Sequence, residues 1–160
     1  MSDHNSFDFQ FETFNTDQLT DEDAQLIKQA QSACDTAYSP YSKFSVGAAL
    51  LLENGTTVIG SNQENAAYPS GLCAERVSLF NAATNHPGVK IKKIAITARK
   101  HKSDQFLDVS PCGSCRQVML EYEEFQNQNL EVIFSMNGRW TKFAKSAILL
   151  PFCFDKTSLG

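Results

Sequence analysis

Apolar residues recur at helical spacing in three parts of the chain. The first part follows Thr20-Asp21-Glu22-Asp23, which resembles a capping box at a helix start. The buried stripe of this helix is predicted to comprise Leu26, Ile27, Ala30, Ala33, Cys34 and Ala37. A second helix is predicted after Cys73 and a third after Pro111, a residue type that the first turn of a helix tolerates.

Between these helices the pattern changes to that of strands. Residues 44–52 become continuously apolar toward their end, as expected for a strand buried on both faces. Asn54-Gly55 marks a tight turn, so residues 57–62 are predicted to return antiparallel to this strand. The later strands and turns are predicted at residues 91–98, residues 130–134, the turn Asn137-Gly138, and a last strand beginning near Arg139.

The order of these elements predicts the fold. A strand follows each of the two later helices, and strand-helix-strand units favour parallel pairing. The two hairpins, in contrast, require antiparallel neighbours. The expected fold is α/β, a three-layer α/β/α sandwich on a mixed five-stranded sheet.

Apolar and polar residues alternate near the N-terminus. Phe7, Phe9 and Phe11 are separated by polar residues, a period of two that predicts a short strand with one apolar face. We therefore treat residues 1–16 as an N-terminal extension of a single domain formed by residues 17–160. The extension is expected to cover a sheet edge or a neighbouring subunit.

Composition narrows the class of protein. The chain has 160 residues and 42% hydrophobic content, which suits one domain with a substantial core. No apolar run approaches a membrane span, the N-terminal residues lack the pattern of a secretory signal, and a net charge of -4 disfavours nucleic acid as the main partner. We expect a cytoplasmic protein whose five cysteines are metal ligands or buried thiols rather than disulfides.

Three of these cysteines lie at predicted helix starts. Cys73 precedes the second helix, while Cys112 and Cys115 follow Pro111 at the start of the third. Three thiolates from two segments can hold one Zn²⁺ and leave its fourth position to water, as in a catalytic site. The positive ends of both helix dipoles, together with Arg76, would offset the negative charge of the thiolates.

Glu75 is the candidate catalytic acid and base. It lies two residues after Cys73 and can reach the same cavity beyond the helix tip. An acidic residue in a first turn can also do no more than complement the helix dipole. Beside three cysteines, the catalytic interpretation is favoured.

The motifs Cys73-Ala74-Glu75 and Pro111-Cys112-x-x-Cys115 resemble those of the zinc-dependent nucleoside and nucleobase deaminases. Because the first ligand is Cys, the chain is most similar to the small homotetrameric cytidine deaminases. Three other segments share the resemblance: Tyr41-Ser42-x-Phe44-x-Val46-Gly47-Ala48-Ala49, Asn62-x-Glu64-Asn65-Ala66-x-Tyr68-Pro69 and Leu149-Leu150-Pro151-x-x-Phe154.

The resemblance implies a reaction and the residues that perform it. The reaction is hydrolytic deamination of cytidine and 2′-deoxycytidine to uridine and 2′-deoxyuridine with release of ammonia, a step of pyrimidine salvage. Glu75 would transfer protons, and Arg76 would lie beside the metal. The implied zinc ligands are Cys73, Cys112 and Cys115, and the implied substrate-binding residues are Phe44, Asn62, Glu64, Ala74 and Phe154.

The substrate-binding residues have separate implied roles. Asn62 and Glu64 would bind the ribose, with Glu64 accepting a hydrogen bond from the 3′-hydroxyl, and the backbone of Ala74 would meet the pyrimidine edge. Phe44 suits either the substrate or the core. In a homotetramer Phe154 would cover the base bound in a neighbouring subunit. The alternative is that Phe152 and Phe154 pin the chain end to the core of their own subunit. The preference between cytidine and deoxycytidine stays open.

Three alternatives remain open at this point. Another aminopyrimidine nucleoside, such as blasticidin S, is a possible substrate because its deaminase shares the zinc motifs. A structural zinc module would recruit Cys34, Cys153, His86 or His101 as a fourth ligand. A redox protein would use the Cys112-x-x-Cys115 dithiol, although that spacing alone is weak evidence.

Overall fold

Seven strands and three α-helices form the part of the chain that the computed structural model describes, residues 7–159. The strands are β1 (Glu12–Phe14), β2 (Phe44–Leu52), β3 (Thr57–Ser61), β4 (Ile91–Lys100), β5 (Phe106–Leu107), β6 (Glu131–Met136) and β7 (Arg139–Phe143). The helices are α1 (Asp21–Ala33), α2 (Ala74–Asn85) and α3 (Gly113–Gln126). Within residues 7–159, none of these helices has the length and apolar character needed to cross a bilayer.

The strands form one mixed sheet in the order β1-β7-β6-β4-β2-β3, and β5 pairs with the end of β4. Both predicted hairpins are antiparallel, and β4 runs parallel to β6, as the strand-helix-strand pattern predicts. The β6–β7 turn has positive φ at both Asn137 (54°) and Gly138 (69°), the backbone of a type I′ hairpin. The five predicted strands are confirmed, and two short strands, β1 and β5, extend the sheet to seven.

The sheet lies between two helical layers, which confirms the predicted α/β/α sandwich. On one face α1 packs Leu26, Ile27 and Ala30 against alternate residues of the central strands. On the other face α2 and α3 contribute Leu79 and Met119 to the larger core. Strand β2 supplies both cores because its successive residues point to opposite faces. The two-faced burial predicted from its apolar run is therefore confirmed.

The start of α1 differs in one detail from a capping box. Thr20 Oγ1 accepts a hydrogen bond from the backbone N–H of Asp23 at 3.1 Å, as the motif requires. The Asp23 carboxylate instead accepts from Lys93 Nζ at 2.8 Å and Lys142 Nζ at 3.0 Å. A cation is a stronger partner than a backbone amide, so the reciprocal half of the predicted box is absent. The helix also ends at Ala33, before Cys34 and Ala37 of the predicted stripe.

The predicted strand at Phe7–Phe11 is wrong in position. Residues 7–11 belong to no strand, and the strand begins at Glu12, where β1 pairs antiparallel with β7. An alternation of apolar and polar residues does not identify the strand with which a segment pairs. Only residues that lie beside the free edge of β7 form the backbone hydrogen bonds of the sheet. Residues 1–6 of the predicted extension lie outside the described residues. The domain boundary at residues 16 and 17 stays a prediction.

Candidate metal centre and substrate cleft

The two helices that carry the cysteine motifs begin directly after a cysteine. Cys73 is the residue before α2 and Cys112 the residue before α3, and both have extended backbones with ψ of 154° and 164°. At that position a side chain lies beside the free N–H groups of the first turn. These groups and the helix dipole favour the thiolate over the thiol.

The three cysteine sulfurs meet in one cluster. Cys73 Sγ lies 3.8 Å from Cys112 Sγ, and Cys112 Sγ lies 3.5 Å from Cys115 Sγ. Ligands held at about 2.3 Å from a tetrahedral zinc lie about 3.8 Å apart, so the cluster fits this ion. Among the described residues, no further His, Cys, Asp or Glu joins the group. The arrangement supplies three ligands, the number found in catalytic zinc sites.

The candidates for a fourth ligand lie elsewhere. Cys34 is buried against Thr97, on the α1 side of the sheet. Cys153 lies near Asp155 in the exposed C-terminal segment. His86 follows the opposite end of α2 from Cys73, and His101 follows β4. These positions disfavour a closed structural site.

The charges around the sulfurs explain why a cation belongs there. Hydrogen bonding from Cys115, with help from Arg76, lowers the pKa of Cys73 to about 5. Arg76 Nη2 lies 3.9 Å from Cys73 Sγ. The same Cys73 sulfur, followed by burial, raises the pKa of Cys115. One thiolate therefore hinders ionisation of the next, and a bound dication reverses this hindrance.

Glu75 lies in the first turn of α2, two residues after Cys73. Its side chain is nearly buried, with 4% of the residue exposed, yet it reaches the wall of a cleft. Burial is the main cause that raises the pKa of Glu75, and the neighbouring Cys73 adds to the effect. A carboxyl group whose pKa is shifted toward neutrality can both take and give protons near pH 7.

The cleft beside Glu75 has a volume of about 870 Å³, within the range of small-molecule sites. It brings together most of the residues that the sequence predicts for the site. Those in its lining are Phe44, Asn62, Glu64, Cys73, Glu75, Arg76 and Cys112. Cys115 and Ala74 are fully buried behind this surface. Phe154 is 60% exposed and does not line the cleft within the described part of its own chain.

Asn62 and Glu64 hold one wall of this cleft in place. Asn62 accepts from Val46 N at 2.8 Å and donates to Phe44 O at 2.9 Å. Glu64 Oε2 accepts from the backbone N–H of Tyr41 at 2.9 Å and of Ser42 at 3.3 Å. Hydrogen bonding by Ser42 lowers the pKa of Glu64, which keeps an ionised acceptor facing the cleft.

A close helix–strand contact positions α2 over the sheet. An added Cβ at Gly60 of β3 would lie 2.5 Å from Ser78 N and 2.6 Å from Ala74 O. Only glycine allows backbones to approach so closely. Strand β3, which ends beside Asn62, therefore also determines how closely α2, the helix that carries Glu75, packs against the sheet.

The residues of the site and its support that were not identified from the sequence include two tyrosines and two residues of α3. Tyr41 and Tyr68 line the cleft with ring centroids 6.1 Å apart. Both belong to segments that carry the resemblance, which was the available signal. Arg116 donates to Pro111 O at 2.8 Å and to Leu149 O at 3.2 Å, and Gln117 donates to Phe154 O at 2.7 Å. No local sequence pattern predicts these long-range contacts.

Comparison with known proteins agrees with this geometry. Residues 20–127 match the family model described as the cytidine and deoxycytidylate deaminase zinc-binding region. Cytidine deaminase of Sporosarcina psychrophila is 42% identical over 137 residues, which cover 85% of this chain and 93% of that protein. The 1.6 Å crystal structure of cytidine deaminase from Burkholderia pseudomallei has a TM-score of 0.69 at 38% identity, covering 85% of this chain and 100% of that one.

A deaminase named for a different substrate is also similar to this chain. Blasticidin-S deaminase of Bacillus cereus is 28% identical over 134 residues, which cover 81% of this chain and 89% of that protein. This identity is lower than the 42% found with the Sporosarcina protein. Similarity therefore favours the cytidine deaminases over the blasticidin-S deaminase.

Proposed function

The chain belongs to the cytidine and deoxycytidylate deaminase family, and we propose that it hydrolyses cytidine and 2′-deoxycytidine to uridine and 2′-deoxyuridine with release of ammonia. One observation carries this proposal. The buried carboxyl group of Glu75 shares a nucleoside-sized cleft with cysteine sulfurs spaced for zinc. The protein is accordingly a zinc-dependent hydrolase.

Cys73, Cys112 and Cys115 hold the zinc ion in this proposal. When bound, zinc acts as a Lewis acid that lowers the pKa of water from about 16 toward about 7. Three thiolates carry more negative charge than the dication neutralises. The N-termini of α2 and α3 and the guanidinium of Arg76, 3.9 Å from Cys73 Sγ, offset the excess.

Glu75 moves the protons of the reaction. It takes one proton from the attacking water and delivers it to N3 of the pyrimidine, which makes C4 more electrophilic. It then carries the remaining proton of the added water to the amino group, which leaves as ammonia. Its raised pKa and its burial beside Cys73 suit this double role.

Four residues recognise the nucleoside. Asn62 and Glu64 bind the ribose, and Glu64 accepts from the 3′-hydroxyl through the oxygen that the loop N–H groups leave free. Phe44 packs against the substrate from the cleft wall. The resemblance assigns the backbone of Ala74, between Cys73 and Glu75, to the pyrimidine edge. The position of Asn62 and Glu64 in the same cleft as Glu75 supports their assignment to the sugar.

The proposed assembly is a cytoplasmic homotetramer with shared sites. Phe154 lies outside the cleft of its own chain, which supports a role over the base in a neighbouring subunit. A groove of about 780 Å³ between α2 and α3 carries Phe80 and Phe125, the latter 83% exposed. Packing of a second copy would cover such apolar surface. The five free cysteines suit reducing conditions.

A substrate panel tests the function. Full-length zinc-loaded protein is incubated with cytidine, deoxycytidine, free cytosine, adenosine and blasticidin S, and ammonia release and the ultraviolet shift are recorded. Turnover is expected with the first two compounds. Glu64→Ala should raise the KM for cytidine. Cytosine turned over as well as cytidine would make the ribose role of Asn62 and Glu64 untenable, and a clear preference for blasticidin S would replace the proposed substrate.

A further inference from the structure

The N-terminal aromatic residues make specific contacts with the other end of the chain. The ring of Phe7 packs edge-on against Phe152, with centroids 5.0 Å apart and an interplanar angle of 75°. The ring of Phe11 lies 5.3 Å from that of Phe143, the last residue of β7. These two contacts join residues 7–11 to the end of β7 and to the C-terminal segment.

The C-terminal segment, residues 150–159, has few other anchors. It contains no β-strand, and Phe152 and Phe154 are 79% and 60% exposed. Gln117 on α3 donates to Phe154 O at 2.7 Å, and Arg116 donates to Leu149 O just before the segment. Phe7 contacts the stretch between these two anchors. An element with so few contacts opens easily unless each contact is kept.

We propose that residues 7–16 form a strap that holds the C-terminal segment through Phe7 on Phe152 and thereby sets nucleoside affinity. This inference rests on the role proposed above for Phe154. Phe7 and Phe152 are positioning residues, since neither lines the cleft of the described chain. An edge-to-face pair changes an opening equilibrium by about two- to tenfold. Loss of the pair should raise segment opening by this factor and raise KM by up to the same factor, because KM varies inversely with the fraction of chains whose segment is closed.

Protease sensitivity reports on the strap independently of activity. Lys156 begins the 3₁₀ turn Lys156–Leu159, and trypsin binds its substrate in an extended form, so cleavage after Lys156 requires the end of the segment to open. Phe7→Ala and Phe152→Ala are made in full-length, zinc-loaded protein, and only the product shortened at Lys156 is counted. Phe9→Ala is the matched control, because Phe9 is as exposed as Phe7 but forms no aromatic pair with any described residue.

Both strap variants are expected to be cleaved about two- to tenfold faster and to show a KM for cytidine raised by up to the same factor, with kcat and zinc content unchanged. The double variant should be no worse than either single variant, because both remove the same contact. Phe7→Tyr should restore the wild-type values. Phe9→Ala should behave as wild type.

Failure of the strap and failure of the proposed function give different results. Unchanged cleavage in Phe7→Ala, or an equal effect in Phe9→Ala, overturns the strap. Faster cleavage with an unaltered KM overturns its link to affinity, provided that Phe154→Ala raises KM. If Phe154→Ala leaves KM unchanged, the role of Phe154 in the proposed function is lost, and the strap is then judged by cleavage alone.

Discussion

Individual residues of one type differ in chemistry because their neighbours differ. Hydrogen bonding from Cys115 and Arg76 lowers the pKa of Cys73, whereas the Cys73 sulfur and burial raise that of Cys115. Cys34 is an inert core thiol, with burial as the main cause of its raised pKa. The sequence distinguishes these cysteines only through the motifs around them.

Removal of one sulfur should abolish zinc binding. Cys112→Ala is expected to lose the metal and to unfold at a lower temperature than wild type, because binding at such a site is coupled to folding. Zinc per chain by atomic absorption and the Tm by calorimetry measure both effects. Cys153→Ala is the matched control, since this exposed thiol lies outside the cluster. Full zinc content in Cys112→Ala would refute the ligand assignment.

Glu75→Gln should separate chemistry from structure. The amide keeps the shape of the side chain but transfers no protons, so kcat is expected to fall by at least about 10²–10⁴-fold at full zinc content. Turnover of cytidine by zinc-replete protein is the measurement. Glu53→Gln makes the same change in the exposed turn after β2 and should leave kcat unchanged. Near-normal turnover in Glu75→Gln would contradict the assigned role.

At the scale of elements, the site depends on how the helices are seated on the sheet. The backbones of β3 and α2 approach closely at Gly60, and a buried ion-pair network ties α1 to β4 and β7 through Asp23. Neither interaction includes a residue of the cleft lining. Both nevertheless determine the positions of the elements around it.

Gly60→Ala should lift α2 from the sheet. The new Cβ would lie within 3 Å of backbone atoms that have no rotamer to change. A loss of about 1–3 kcal/mol in the free energy of unfolding is expected. Displacement of Glu75 should lower kcat/KM by up to about 100-fold. Denaturant unfolding and steady-state kinetics measure the two effects. Gly113→Ala should keep wild-type stability, since its Cβ would meet nothing within 4 Å.

The ion pairs of Asp23 should make the free energy of unfolding depend on pH. Burial opposes ionisation of Asp23, but Lys93 and Lys142 outweigh it and keep the pKa of Asp23 below the usual value. A lowered carboxyl pKa in the folded state stabilises the protein above about pH 4, the unfolded value. This stabilisation is lost as the pH falls further through the folded pKa.

Asp23→Asn is therefore expected to cost about 1–3 kcal/mol of unfolding free energy at pH 7, because Lys142 loses its ion pair and Lys93 keeps only Glu22 and Glu131. The difference from wild type should narrow below about pH 4. Denaturant titrations at several pH values measure it. Asp17→Asn, at an exposed position, is the control. A difference that stays constant with pH would exclude the ion pairs as its source.

At the scale of the whole molecule, two features of the described chain bear on the proposed assembly. Phe154 does not line the cleft of its own chain, and exposed aromatic residues remain on α2 and α3. A homotetramer with shared sites would account for both observations.

Subunit exchange tests the shared site. Glu75→Ala and Phe154→Ala chains, each weakly active alone, are mixed under conditions where labelled subunits demonstrably exchange. Some mixed sites then combine an intact Glu75 with an intact Phe154 from the neighbour, so activity should exceed the sum of the two proteins. Activity no greater than that sum would show that Phe154 acts within its own chain. A monomer in sedimentation at the assay concentration would contradict the tetramer itself.

The sequence by itself determined the features that depend on local chemistry. Periodicity placed the three helices and five main strands, and the glycine turns set both hairpins. The spacing of Cys73, Cys112 and Cys115 predicted the metal cluster, because two helix starts at one sheet edge bring such residues together. The resemblance predicted that Phe44, Asn62 and Glu64 lie in the same cleft.

Only the tertiary structure decided which distant groups compete for a partner. The Asp23 carboxylate binds two lysines instead of completing the capping box. The edge strand begins at Glu12 rather than in the Phe7–Phe11 stretch. Gln117 binds the carbonyl of Phe154. In each case the outcome is set by the relative strength and reach of groups far apart in the chain. Local periodicity contains no information about such groups, because only folding brings them together.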